Sequence, residues 1–76
     1  MKVFTVTEFW RDLDGNSGAA FRGVFSSSAL AFASIEQVAE TSLGVTVTRE
    51  SDRVEIMGGA YIGRLFIVEE VEIDRF

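Results

Sequence analysis

One change of period constrains what this chain can fold into. Between Ser26 and Gly44 the residues Ala31, Phe32, Ile35, Val38, Ala39 and Leu43 fall within a single apolar arc at helical spacing, while Ala33, Glu36, Gln37 and Glu40 point away and Leu30 lies on the polar side. Ser26, Ser27 and Ser28 precede this stretch, where a serine hydroxyl can accept from the free amides of a first turn. Gly44 follows the last periodic residue, a common place for a left-handed cap. The pattern predicts an amphipathic helix of about four turns closing at Gly44. Elsewhere the apolar period is two. A single helix among extended segments predicts an α+β fold, with the helix packed on a four- to five-stranded antiparallel sheet in the order ββαβββ.

The extended segments can be placed. Val3 to Trp10 alternates Phe4, Val6, Glu8 and Trp10 on one face with Val3, Thr5, Thr7 and Phe9 on the other, which reads as a strand. Arg11 to Gly18 gathers turn-forming residues, and Ala20 to Phe25 returns as a second strand with Gly23 as a candidate bulge or close backbone contact. Gly44 to Arg49 and Arg53 to Met57 form a second hairpin about Ser51 and Asp52. Its register sets Glu50 against Arg53, Thr48 against Glu55 and Val47 against Ile56, so that Val45, Val47, Val54 and Ile56 share one face. Val47 and Ile56 are expected beneath Ile35 and Val38 of the helix. Gly58, Gly59 and Ala60 turn the chain into a last strand from Tyr61 to Phe76, which begins apolar on both faces and ends acidic. A ferredoxin-like fold would need a second helix, for which Gly58 to Gly63 is too short.

With 76 residues the chain has room for one domain, residues 1–76, with no linker. An apolar share of 47% against 25% charge is too rich in apolar residues for intrinsic disorder. The start, MKVFTVTEF, lacks the apolar run of a signal peptide, and no apolar stretch reaches the about 18 residues of a membrane span, so a cytoplasmic protein is expected.

Composition then removes whole classes of function. Histidine, cysteine and proline do not occur, which excludes histidine-activated nucleophiles, the usual zinc sites, disulfides and thiol chemistry. Acidic residues outnumber basic ones twelve to seven, the wrong sign for direct nucleic-acid binding. Asp12, Asp14 and Asn16 imitate the start of a calcium loop, but its sixth position is Ser17 and its twelfth is Gly23, so a plain turn is expected and no metal. Gly58, Gly59 and Gly63 lack the lysine and the following helix of a phosphate loop. Glu69, Glu70, Glu72 and Asp74 are adjacent carboxylates without a sign of a cleft, so no catalytic residue, cofactor or enzymatic activity is expected.

Two stretches, GVFSSSALAFASIEQVAE from Gly23 to Glu40 and FIVEEVEID from Phe66 to Asp74, resemble a group of short phage and bacterial proteins of no assigned activity. Those proteins open with a strand like MKVFTVTEF, run from a glycine, valine, phenylalanine and serine segment into a helix, and end in an acidic strand. Here Ala29 and Leu30 stand where charged residues are usual in the first helical turn. The resemblance implies the same fold and a phage or mobile-element origin. By type, as a small acidic chain without catalytic residues, the protein is similar to anti-CRISPR proteins and other inhibitors of bacterial defence.

The expected function is therefore binding to a host protein, a defence nuclease or effector complex, in the cytoplasm of a bacterial host. The alternative is a structural or virion accessory module that assembles with itself. Glu70, Glu72 and Asp74 recur at about 6.7 Å along a strand, near the phosphate spacing of nucleic acid, or form a solvated edge that blocks aggregation. Trp10, at the start of a glycine-bearing loop, is the candidate anchor for a partner, or else caps the core beside Phe21.

Overall fold

The computed structural model describes residues 1–59 and 61–74; Ala60 of the third turn, and Arg75 and Phe76 at the expected end of the last strand, lie outside them. The chain forms β1 (Lys2–Asp12), β2 (Ser17–Phe25), α1 (Ser28–Glu40), β3 (Val45–Arg49), β4 (Arg53–Gly58) and β5 (Tyr61–Glu72). All five strands join one antiparallel sheet in the order β2-β1-β5-β4-β3, covered on one side by α1. Among the described residues, no helix is long and apolar enough to cross a membrane.

The two longest strands take the centre. β1 and β5 pair from Lys2 opposite Glu72 to Arg11 opposite Gly63, so β5 has neighbours on both edges along its first part, where its sequence is apolar on both faces. Phe66 and Val68 of β5 point to the helix with Val6 of β1, Val54 and Ile56 of β4, and Ala31, Phe32 and Ile35 of α1. Phe4, Phe25, Val38, Ala39 and Val45 close the rim of this core. The second hairpin has the expected register, Val47 against Ile56 and Thr48 against Glu55, and the Glu50 amide donates to the Arg53 carbonyl at 2.9 Å across the turn. Val47 nevertheless stays exposed, because β3 is the edge strand and α1 packs chiefly over β5, β1 and β2. The expected burial of Val47 beneath Ile35 and Val38 is thus corrected, while Ile56 is buried.

The helix starts as its serines predict. Ser27 is extended at φ −144° and its hydroxyl accepts from the Leu30 amide at 3.2 Å. Its end differs. The helix stops at Glu40, and Thr41 and Ser42 turn their hydroxyls back onto the Val38 carbonyl at 3.0 and 2.9 Å. That carbonyl is the acceptor the Ser42 amide would need to prolong the helix, so the amide turns to Ala39 instead. Leu43, expected on the buried face, is consequently 90% exposed, and Gly44 belongs to the loop before β3.

The bulge expected at Gly23 is present: Val6 faces Gly23 and Thr7 faces Phe21, so Arg22 is the additional residue. Gly23 has φ +150°, a backbone value that a side chain disfavours. The slip keeps both Phe21 and Val24 on the uncovered face, opposite Thr7 and Thr5, and turns Phe25 toward the core.

Candidate functional site

The turn between β1 and β2 is tighter than its composition suggests. Asp12 remains in the strand, and its carboxylate accepts from the amides of Asp14 at 3.0 Å and Asn16 at 2.9 Å and from Asn16 Nδ2 at 3.4 Å. The Asp12 oxygens thus serve the turn's own donors, which is the plain-turn reading of the DLDGN string. Leu13 and Asp14 are left exposed at the tip.

Trp10 lies next to this turn, paired with Gly18 on one side and Arg64 on the other. Its indole rests on Gly18: a Cβ there would stand 2.6 Å from the ring's Cζ2, so a bare backbone is what leaves room for the ring. The ladder between β1 and β5 slips by one between Arg11 and Asp12, which sets Tyr61 opposite Asp12 and near Trp10. The two rings meet edge to face, with centroids 6.3 Å apart and planes at 71°. Trp10, Tyr61, Asp12, Leu13 and Asp14 line a recess of about 450 Å³ on the helix side of the sheet, beyond the hairpin core. Trp10 remains half-buried there. It does not cap the core beside Phe21, which faces Thr7 on the opposite side of the sheet and is 64% exposed.

Beneath the aromatic corner is a buried ion cluster. Glu8 is only 3% exposed, and Arg64 reaches it with Nε at 2.6 Å from Oε2 and Nη2 at 3.3 Å from Oε1. The bulge brings Arg22 to the same carboxylate, Nη1 to Oε1 at 3.6 Å. The Arg64 guanidinium also lies 4.7 Å from the Tyr61 ring centroid and 5.4 Å from that of Phe66. A line of contact therefore runs from Glu8 through Arg64 to Tyr61 and Trp10. The strand period alone sets Glu8 on the inward face and leaves open what neutralises it. The signal is in the sequence all the same, since a carboxylate alternating with Phe4, Val6 and Trp10 needs a cation, and Arg22 and Arg64 sit in the two strands flanking β1.

The acidic end lies elsewhere. Glu70 faces Phe4 and Glu72 faces Lys2, at the opposite end of β1 from Trp10. Glu70 lies six positions along the strand from Arg64, the partner of Trp10, or about 20 Å away. Glu70 lies 3.8 Å from the Lys2 ammonium and Glu72 3.3 Å from the amino group of Met1. Asp74 falls beyond the end of β5, so the ladder has two acidic rungs within the strand. Trp10 and the acids thus do not form one compact patch, and a partner touching both would have to span the length of β1.

A second recess on the helix side, about 210 Å³, is lined by Leu43, Val45, Ile56, Tyr61 and Arg64 among others, and among the described residues no carboxylate lines it. No family model, curated protein or solved structure matches this chain.

Proposed function

We propose that the protein acts by binding another protein, without catalysis, and that the recess at Trp10 and Tyr61 receives a basic side chain of that partner. The observation carrying this reading is the aromatic corner with the exposed Asp14 at its mouth. An arginine or lysine over an aromatic face gains about 0.5–2 kcal/mol, more as water is excluded. Tryptophan and tyrosine are also among the residue types richest in interface hot spots. A net charge of −5 would draw a basic surface and raise the association rate.

In its finer form, the partner is a host defence nuclease or effector complex whose nucleic-acid-binding surface supplies the cations, and the protein inhibits by occupying it. Small size, acidic balance, the lack of histidine and cysteine, and the resemblance to short phage proteins support this form. Glu70, Glu72 and Asp74 would then contribute attraction at a distance, with Trp10 as the anchor.

The test begins by identifying the target by pull-down from a host, then measures binding to the purified target. Trp10→Ala and Asp14→Asn should each weaken binding about tenfold or more while leaving the circular dichroism spectrum unchanged. Changing Glu70, Glu72 and Asp74 together to glutamine or asparagine should slow association at low salt only. A Trp10→Ala variant that binds like the parent removes the aromatic corner from the mechanism.

A further inference from the structure

The side of the sheet that faces away from α1 has no covering element among the described residues. Phe9, Phe21, Val24 and Met57 are exposed there, around the half-buried Leu65 and Ile67. The register sets Phe9 beside Leu65 and Thr7 between Phe21 and Ile67, so apolar side chains extend across β2, β1 and β5 with Thr7 among them. Exposed apolar surface of this kind marks an interface.

We propose that the occupant of this face is a second copy of the chain, stacked sheet against sheet into a two-fold dimer. Charge favours that occupant. The protein as a whole carries −5, but on this face Arg53 is already paired with Asp52 at 3.1 Å and Glu50 at 3.9 Å, and Arg11 stands against Glu55 and Glu69, so a two-fold mate can set Arg11 of each copy against Glu55 of the other. Most remaining acids, Glu36, Glu70, Glu72 and the Asp12–Asp14 turn among them, would stay on the outside.

Area agrees. β2, β1 and β5, about 4.8 Å apart over the about 26 Å from Val3 to Arg11, with the shorter β4 and β3 beside part of that length, give a footprint of about 500 Å² per copy. The two copies together would bury about 1,000 Å² before side-chain relief is counted, the size a specific interface must reach. Sheets stacked in this way lie about 10 Å apart, which leaves room for the two layers of side chains.

The edges offer no easier route. β2 is interrupted by its bulge and β3 is five residues long, both devices that discourage strand addition. Geometry supplies a self-complementary fit. Gly63 leaves a gap of about 260 Å³ walled by Phe9, Arg11, Glu55 and Leu65 together with Trp10, Ser17 and Arg64, and a Cβ built there meets no atom within 4 Å. With β1 of one copy laid over β5 of the other, Phe9 meets the second copy's Leu65, and Arg11 enters the gap at Gly63 within reach of Glu55. The Trp10 recess opens on the helix side, so the dimer would present two such recesses outward and does not depend on their function.

Analytical ultracentrifugation of the full chain decides the matter. A species of twice 8.4 kDa is expected at micromolar concentration. Phe9→Glu, and the milder Phe21→Glu on the exposed edge strand, should each raise the dimer dissociation constant about thirtyfold or more with the circular dichroism spectrum retained. Arg11→Glu and Glu55→Arg should each weaken the dimer, and the two changes together should restore it. Asp14→Asn, at the exposed tip of the first turn, should leave it intact. A chain that stays monomeric up to millimolar concentration overturns the proposal, whatever else the face takes. So does a dimer indifferent to both phenylalanine substitutions, and so does a charge pair whose double reversal restores nothing.

Discussion

Removing one member of the Glu8–Arg64 pair should cost more than removing both. Glu8 is 3% exposed and Arg64 15% at the side chain, so the Coulomb attraction between them is little screened and each charge depends on the other for the solvation it gave up. Glu8→Leu leaves Arg64 and Arg22 facing each other across the vacated site, and Arg64→Met leaves a buried carboxylate with only the longer Arg22 contact. Each single change should destabilise by about 3–5 kcal/mol, a large part of the total stability of a domain this small. The Glu8→Leu/Arg64→Met double variant fills the same space with apolar side chains and should cost less than either single change. Arg22→Ala, which removes a half-exposed partner at 3.6 Å, should cost about 1 kcal/mol or less. Urea unfolding with a common slope gives these differences directly. Single-variant costs that add up in the double, or a Glu8→Leu variant as stable as the parent, would show that the pair is not coupled as its geometry requires.

Three further outcomes follow from individual contacts. Ile35→Ala, at a helix position 1% exposed among Phe66, Val6 and Ile56, should lower stability by about 2–5 kcal/mol through the cavity it opens; an unchanged urea midpoint would contradict the packing of α1. Gly18→Ala puts a methyl group into the Trp10 ring and should shift tryptophan emission to the red, whereas Gly63→Ala, with open space around it, should leave the emission alone. The Asp52 carboxyl is held below its ordinary value chiefly by the hydrogen bond from Arg53, which outweighs the opposing effect of desolvation and is helped by that residue's charge. A lowered native pKa stabilises above the unfolded value near 3.8 and loses that contribution as pH falls through the native value. Asp52→Asn should therefore flatten the pH dependence of stability only below about pH 4, and a change confined to neutral pH would contradict the assignment.

Whatever a local period fixes is legible in the sequence. The helix face from Ala31 to Ala39, the Ser27 cap and the register of the second hairpin follow from spacing alone, because a one-residue slip would have turned Val54 and Ile56 out of the core. The helix end is not legible. Gly44 carries a cap signal, but two hydroxyls nearer the helix compete for the Val38 carbonyl, and a periodic count does not weigh that competition. The position of the acids relative to Trp10 depends on β5 running antiparallel beside β1, a pairing between distant parts of the chain that no local pattern encodes. Tyr61 reaches Trp10 only because the ladder slips between Arg11 and Asp12, again a cross-strand event. Glu8 stands out by its alternation as an inward carboxylate, and its need for a counter-ion narrows the partner to a handful of arginines; the choice of Arg64 over the others rests on which strand lies beside β1.

The same cluster links stability to the aromatic corner in a way that can be separated. Arg64 is held at one end by Glu8 and lies against the Tyr61 ring with its flat guanidinium, so the position of Tyr61 depends on a charge that the fold itself could do without. In the Glu8→Leu/Arg64→Met double variant the core is filled, but no planar cation supports Tyr61, and the edge-to-face contact with Trp10 should loosen. The variant should then unfold at nearly the parent urea concentration while Trp10 fluorescence anisotropy falls and its quenching by acrylamide rises. A structural role for the pair alone predicts no such change in the indole's surroundings. If the double variant keeps both its stability and the parent's tryptophan quenching, Arg64 does not position the aromatic corner, and the buried charges serve the fold only.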